Sequence, residues 1–330
     1  MTGTGFVHQA LCYASDEEFL SGAADFVRDG LVADDAVLVV VRADNIALLR
    51  DALGAAAREV DFVDALDWYH FPSRTLGRYN DYCTARDEGG TRRVRVIGEP
   101  LWTGRSPAEE REWMRYESLV NVAFADSGHW IVCPYDARIL PEAVIAGALR
   151  THPQVTLAAA EGDVDGGRGT LDAPYIDPAD FYAECDALSR TSPHEPRPAA
   201  PPREVPFVRG ESVAVRLAAA EYARRCRLTD ARARDVAAAV HEAVLNAVRF
   251  GGGRGVLRLW NDAEWVVFEV ADQGGGHPAR PLREAGFLGH VPPDPQAARG
   301  HGLWVVRQLS DLVTERIDED GAVVRIHFRR

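Results

Sequence analysis

Glu242-Ala-Val-Leu-Asn246, Asp272-Gln-Gly274-Gly-Gly276 and Gly300-His-Gly302-Leu303 follow one another in the last third of the chain. The first sets a carboxylate and an amide at i and i+4, so both project from one face of a helix. The second follows a strand expected over Trp265 to Val270 and places an acid where a sheet ends in a flexible glycine turn. The third is a glycine pair opening another helix, whose unpaired backbone N–H groups and positive dipole end suit phosphate. Mg²⁺ takes hard oxygen ligands and keeps several waters, so one amide plus phosphates suffices for it. Glycines let backbone N–H groups approach phosphate with no Cβ in the way. The ordered set is therefore able to hold Mg-ATP. Taken singly, each piece has a plainer alternative: a loop, a solvated Asn in an Ala-rich helix, a surface ion pair at Glu242.

All 37 basic residues are Arg, and the chain has no Lys. That excludes a Walker A P-loop and the eukaryotic-type protein kinase fold, which both need a Lys on the phosphates. It also excludes Schiff-base and pyridoxal chemistry, which need an amine. The formal net charge of −13 is uneven: from residue 204 onward 18 Arg face 17 Asp plus Glu, and before it 19 face 33. So acidic a front half repels a phosphate backbone, and direct nucleic-acid binding is not expected. The longest apolar run, Ala36 to Val41, is far short of the roughly 20 residues that span a bilayer. Met1 to Gln9 lacks the basic and long apolar regions of a signal peptide, so a cytoplasmic protein is expected. Five cysteines are scattered and never form a Cys-x-x-Cys pair, which argues against a disulfide scaffold or a structural zinc site.

A length of 330 residues suggests two domains. The boundary is Ser192-Pro-His-Glu-Pro-Arg-Pro-Ala-Ala-Pro-Pro202, proline-rich and poor in apolar residues. The divisions expected are 1–190, a linker over 191–204, and 205–330. In the front half, strands are expected over Val7 to Tyr13, Val37 to Val41, Val94 to Gly98 and Trp130 to Cys133. Between them lie amphipathic stretches over Asp16 to Asp29, Asp44 to Ala57, Leu76 to Asp87 and Ala108 to Ala125, the first with Phe19, Ala23, Phe26 and Val27 on one face. Strand–helix alternation with continuous Val-rich strands predicts a mostly parallel sheet covered on both faces, a three-layer α/β domain. Beyond the linker, helices over Gly210 to Cys226 and Thr229 to Arg249 precede strands over Gly255 to Trp260 and Trp265 to Val270. A helix from His301 to Asp311 then leads to a hairpin of Val313 to Ile317 and Ala322 to Phe328, turned by Asp320-Gly321. This predicts an α+β two-layer sandwich, with helices on one face of a mixed sheet.

On the three motifs, residues 205–330 resemble the GHKL (Bergerat-fold) ATPase superfamily, and within it the anti-sigma-factor serine kinases of the RsbW type. Glu242-x-x-x-Asn246 matches the N box, Asp272-x-Gly274-x-Gly276 the first glycine box, and Gly300-x-Gly302-Leu303 the second. The resemblance implies that Asn246 ligates Mg²⁺ through its side-chain oxygen and that Asp272 accepts the adenine amino hydrogen. It implies Glu242 as general base or orienter of the attacking hydroxyl. His277 to Arg299, with apolar Phe287 and Leu288, sits where that family keeps its ATP lid. Arg299 there is either a phosphate contact in a chain lacking Lys or an exposed capping charge; His301 serves as a spacer. His241-Glu242 looks like the phosphoacceptor pair of a histidine kinase. Yet it overlaps the N box, and residues 186 to 209 read as linker with no upstream dimerisation helices.

The front half resembles the MEDS sensory domain, related to RecA/KaiC-like α/β domains without their P-loop. The matching stretches are His8-x-x-x-x-Tyr13 with Asp16-Glu-Glu-Phe19-Leu, Gly30-Leu-x-x-x-Asp35-x-Val-Leu-Val-Val, Gly98-Glu99-Pro-x-Trp102, Tyr116-Glu117-x-x-x-Asn121 and Cys133-Pro-Tyr-Asp136. The loop after Val41, Arg42-Ala-Asp-Asn, has neither Gly nor Lys, so this half is not expected to hydrolyse ATP. Trp113, Glu117 and Asn121 share one helix face, either a ligand pocket or core with a polar edge. His8 and Cys12, four apart on a strand, give no compact metal site, and a buried structural role is expected for them.

The two resemblances together imply a cytoplasmic signalling protein. Its MEDS-like half senses a ligand or partner, and its GHKL half is an anti-sigma factor and serine/threonine kinase for a STAS-type anti-anti-sigma protein, using Mg-ATP. The sequence also admits a non-catalytic nucleotide switch that binds a sigma factor, and a sensor histidine kinase acting through His241. A homodimer is compatible with either.

Overall fold

A computed structural model describes residues 5–87, 92–157, 170–171, 174–191, 201–274, 286–287, 289–294, 296, 300–318 and 321–330. The chain divides into two compact units, Met1–Thr191 and Ser192–Arg330.

The first unit runs β1 (Val7–Tyr13), α1 (Asp16–Val32), β2 (Ala36–Val41), α2 (Ala43–Leu53), β3 (Asp61–Asp64), α3 (Ala65–Trp68), α4 (Pro72–Arg86), β4 (Val94–Gly98), α5 (Pro107–Ala123), β5 (Trp130–Asp136), α6 (Glu142–Thr151), β6 (Gln154–Leu157), β7 (Thr170–Leu171) and α7 (Pro178–Thr191). Its sheet order is β3-β2-β4-β5-β1-β6-β7, parallel throughout except where β7 turns back on β6. Every residue of β2 and β4 is buried, so continuous apolar strands mark a sheet covered on both faces. Helix α1 starts where the Ser15 hydroxyl accepts from the Glu18 N–H, and it buries Phe19, Ala23, Phe26 and Val27. Helix α5 opens with a capping box, Ser106 and Glu109, and Pro107 at its first position. Strand β5 runs three residues beyond Cys133, through a proline and an aspartate that would ordinarily end a strand. The short elements β3, α3, β6 and β7 carry too few residues for a periodic pattern, and α6 and α7 are further elements that the strand–helix alternation does not predict.

The second unit runs β8 (Arg203–Val208), α8 (Ser212–Arg225), α9 (Asp230–Phe250), β9 (Arg254–Asn261), β10 (Trp265–Asp272), α10 (His301–Leu309), β11 (Leu312–Asp318) and β12 (Gly321–Arg329). The sheet order is β11-β12-β10-β9-β8, and every neighbouring pair is antiparallel. The expected mixed sheet is thus corrected. Two hairpins supply antiparallel neighbours directly, and the α8–α9 pair returns the chain so that β9 runs against β8. The stretch 186–209, read as linker, instead holds the end of α7 and all of β8, while 192–200 lie outside the described residues. Pro206 hid β8, since proline reads as a break; on an edge strand it is tolerated. At the end of β8 the Val208 N–H goes to the Glu211 carboxylate at 2.9 Å, whereas the next N–H, of Arg209, goes to Gly253 O.

The core is the α9 stripe Ala233, Val236, Ala239, Val240, Ala243, Val244 and Ala247, packed on Leu257, Leu259, Val266, Phe268, Val324, Ile326 and Phe328. Small Ala side chains let the helix lie close to the sheet, where the Phe268 and Phe328 rings meet edge to face with centroids 5.9 Å apart. On the other sheet face Glu269 accepts from Arg258 at 2.7 Å and Arg325 at 2.6 Å. Burial pushes its carboxyl up, but these two guanidinium groups prevail and hold it below its ordinary value.

His327 in β12 is buried, its ring against Trp265, and neither ring nitrogen has a hydrogen-bond partner among the described residues. Burial, then the Arg325 charge, lower its pKa from 6.5 to about 3. The unfolded chain takes up this proton first, so the stability is fully present above pH 6.5 and is lost as pH falls toward 3. His327→Leu is expected to raise stability at pH 7 by about 1 kcal/mol, because an unpartnered buried polar group is removed. It should also lessen the pH dependence below 6.5, which for a single such group is about 1.4 kcal/mol per pH unit. Denaturant melts of both proteins at pH 7.5 and pH 5 check this; parallel stability losses in the two would show that His327 titrates normally.

Candidate nucleotide site

Helix α9 begins with the Thr229 hydroxyl accepting from the Arg232 N–H and turns its Ala/Val stripe into the core. Glu242 and Asn246 flank that stripe, half-buried and one turn apart. Both meet the first turn of α10. A Cβ on Gly302 would lie 3.1 Å from Glu242 Oε2, 3.3 Å from Asn246 Nδ2 and 3.4 Å from Asn246 Oδ1. Gly300 caps α10 in the left-handed region at φ +96°, a conformation that favours glycine, and no side chain among the described residues caps that end. The N–H groups of the first turn are thereby left for an anion. The structure brings Glu242, Asn246 and Gly302 together from elements some 60 residues apart in sequence.

Asp272 closes β10. Its Oδ1 accepts from the Gly274 N–H at 2.9 Å and from the Ala322 N–H at 3.1 Å, which fixes the carboxylate. Its other oxygen lies beside Gly251, the residue that ends α9: a Cβ there would fall 2.1 Å from Asp272 Cγ and 2.3 Å from Oδ2. Gly252 and Gly321, both at positive φ, back onto Gly274 O and Asp272 O. Sequence reasoning missed Gly251 and Gly252, although the run Gly251-Gly-Gly253 directly after a helix bearing a site face was the signal for them. Gly276 and Arg299 lie outside the described residues, as does most of His277 to Arg299. Its described portion is tied down: Arg307 Nε donates to Gly289 O at 3.0 Å, and Glu315 pairs with His290 at 2.9 Å and Arg307 at 3.0 Å. Leu303 packs against Gly289, and Phe287, at positive φ, is buried. His301 is exposed; His241 is half-buried within α9, its Nδ1 buried with no partner among the described residues.

In the first unit the C-terminal strand ends, where an α/β sheet binds ligands, carry a charge network and not a glycine loop. Arg42 pairs with Glu99 at 2.8 Å and Asp136 at 3.3 Å, Asn45 donates to Glu99 at 2.9 Å, and Arg138 clasps Asp136 and Asp16. Burial pushes the Asp136 carboxyl up, but hydrogen bonds and charge from Arg138, with Arg42, hold it below its ordinary value. Trp113 and Glu117 are fully buried, Trp113 among Tyr69, Tyr116 and the Arg105 guanidinium. Asn121 is half-buried and bonded to His8 Nδ1 at 3.1 Å and Thr151 O at 2.8 Å. His8 and Cys12 are buried too.

Residues 7–153 match the family model of MEDS, the MEthanogen/methylotroph, DcmR Sensory domain, and residues 209–328 match that of the histidine kinase-like ATPase domain. The chain thus joins a sensory domain to a kinase-like ATPase domain, the composition of a signalling regulator. A comparison with curated proteins found no match. The ATPase family implies ATP binding with Mg²⁺, and the chain fits it: the Gly302 cradle is open where a Cβ would crowd Glu242 and Asn246, and an amide oxygen stands beside it. No helix among the described residues is long and apolar enough to cross a membrane.

Gly251→Ala tests whether Asp272 must keep its position. The added methyl forces the carboxylate aside, so Mg-ATP affinity by calorimetry on the full chain should fall at least about tenfold, about 1.4 kcal/mol, approaching that of Asp272→Ala. Unchanged affinity would show that nucleotide binding does not use Asp272.

Proposed function

We propose that the chain is an anti-sigma factor whose ATPase half is a serine/threonine kinase for a STAS-type anti-anti-sigma protein, governed by the MEDS half. The observation that carries this reading is the convergence of Glu242 and Asn246 on the open N-terminus of α10 at Gly302. A base and an amide at a phosphate-binding helix end are what transfer to a hydroxyl requires, where the work is positioning and charge neutralisation. Mg-ATP supplies the phosphoryl group. In this reading Asn246 offers its oxygen to the metal, Asp272 accepts the adenine amino hydrogen, Gly274 and Gly276 give the nucleotide room beside Asp272, and the open helix end at Gly300 and Gly302 takes the phosphates. Leu303 holds the helix start against Gly289, and Arg299 is the guanidinium contact to phosphate in a chain without Lys. Glu242 draws the proton from the incoming serine hydroxyl. His241 is half-buried in α9, next to Glu242 and inside the motif that this reading gives to the nucleotide, which does not favour a phosphohistidine route.

The test is phosphotransfer from labelled ATP to STAS proteins encoded beside this chain's gene, with full-length protein. Glu242→Gln should lower transfer by a factor of about 100 or more while leaving ATP affinity within about twofold. No transfer to any such partner while ATP binds normally would remove the enzymatic half of the proposal. It would leave a switch in which nucleotide occupancy sets affinity for a sigma factor.

A further inference from the structure

Four side chains from four elements of the first unit meet in its interior: His8 of β1, Glu117 of α5, Cys133 of β5 and His152 at the end of α6, all buried. His8 Nε2 is 3.7 Å from Glu117 Oε2 and 3.5 Å from Cys133 Sγ, and His152 Nε2 is 3.4 Å from the same carboxylate oxygen. All four donor atoms lie within 4.8 Å of one another. For a tetrahedral ion with bonds of about 2.0–2.3 Å, ligand atoms stand about 3.3–3.8 Å apart, and the three separations fall in that range.

The hydrogen bonds around the cluster orient it. His8 Nδ1 faces Asn121 Oδ1 at 3.1 Å, and His152 Nδ1 faces Ala148 O at 2.9 Å. Both partners are acceptors, so each Nδ1 carries the hydrogen and each Nε2 turns a lone pair inward, as metal-ligating histidines do. There they meet a carboxylate at 0% exposure whose oxygens, like His152 Nε2, have no hydrogen-bond partner among the described residues. Lone pairs facing lone pairs in a dry interior repel, and burying a carboxylate beside only the Cys133 thiol and the Tyr135 hydroxyl is costly. A cation at the centre removes both problems. Thiolate, imidazole and carboxylate donors together suit a borderline-soft ion and not Mg²⁺ or Ca²⁺.

We propose that His8, Glu117, Cys133 and His152 form a closed four-coordinate site for a divalent transition-metal ion of the zinc class. A thiolate, a carboxylate and two neutral imidazoles give the site two negative charges, which a dication cancels. With no open coordination position, the ion ties β1, α5, β5 and the α6–β6 turn to one point and takes no substrate.

Full-length protein, purified without chelator, is assayed for metals by mass spectrometry, then stripped and titrated with Co²⁺. The expected results are about one zinc per chain, and a cobalt form with tetrahedral d–d bands and thiolate-to-cobalt charge transfer. Cys133→Ser should abolish the charge transfer and Cys12→Ser should retain it; His152→Gln should weaken Co²⁺ binding about tenfold or more. If Cys133→Ser does not fold, serine at Cys12, Cys83, Cys185 and Cys226 in turn assigns the band to Cys133 by its survival in all four. Folded wild-type protein that carries no zinc and takes up no Co²⁺ overturns the proposal, as does charge transfer that survives Cys133→Ser.

Discussion

The close approach of α10 to α9 at Gly302 is the constraint on which the ATPase half depends. Helix α9 lies close to the sheet because its buried stripe is mostly Ala and Val, and α10 meets it with a residue that has no side chain. A larger residue at 302 would move the helix start away from Glu242 and Asn246. The same economy of volume recurs at Gly251, where α9 ends, and the Asp272 carboxylate fills the space that a Cβ would take. Backbone packing at two glycines thus fixes the acid, the amide and the open helix end relative to one another.

The parallel strands of the first unit end where α/β sheets bind ligands, but here guanidinium and carboxylate groups pair with each other. Arg42, Glu99, Asp136 and Arg138 satisfy one another at short range. Among the described residues, the buried polar atoms that the unit leaves without a hydrogen bond include both Glu117 oxygens and His152 Nε2.

Most of this fold was legible in the sequence, because long elements write their period plainly. The Val runs of β2 and β4 and the Ala/Val stripe of α9 are examples, and Glu242, Asn246 and Gly302 stand on the helices expected of them. Local signals failed in identifiable ways. Proline in β8 read as linker, since the residue type says nothing about whether a strand lies at an edge. Gly251 was overlooked because its role is to be absent from a volume that only folding defines. Cysteine spacing spoke against zinc, yet that argument reaches only ligands close in sequence. Cys133, His152, His8 and Glu117 are brought together by the strand order, with β5 and β6 on either side of β1, and no spacing rule carries that information.

Strand β8 has a further effect through the direction of its N–H groups. The Arg209 N–H points to Gly253, so by the alternation of a strand residues 205, 207 and 209 face β9 while 204, 206 and 208 face outward. Of those outward positions Pro206 has no hydrogen to donate, and the Val208 hydrogen is taken by Glu211. Glu204 keeps its N–H but holds its carboxylate on Arg258. An incoming strand finds a template with two of three donors missing, a common defence of sheet edges against aggregation. Self-association by strand addition is blunted on this side, and β8 acts as the terminus of the sheet.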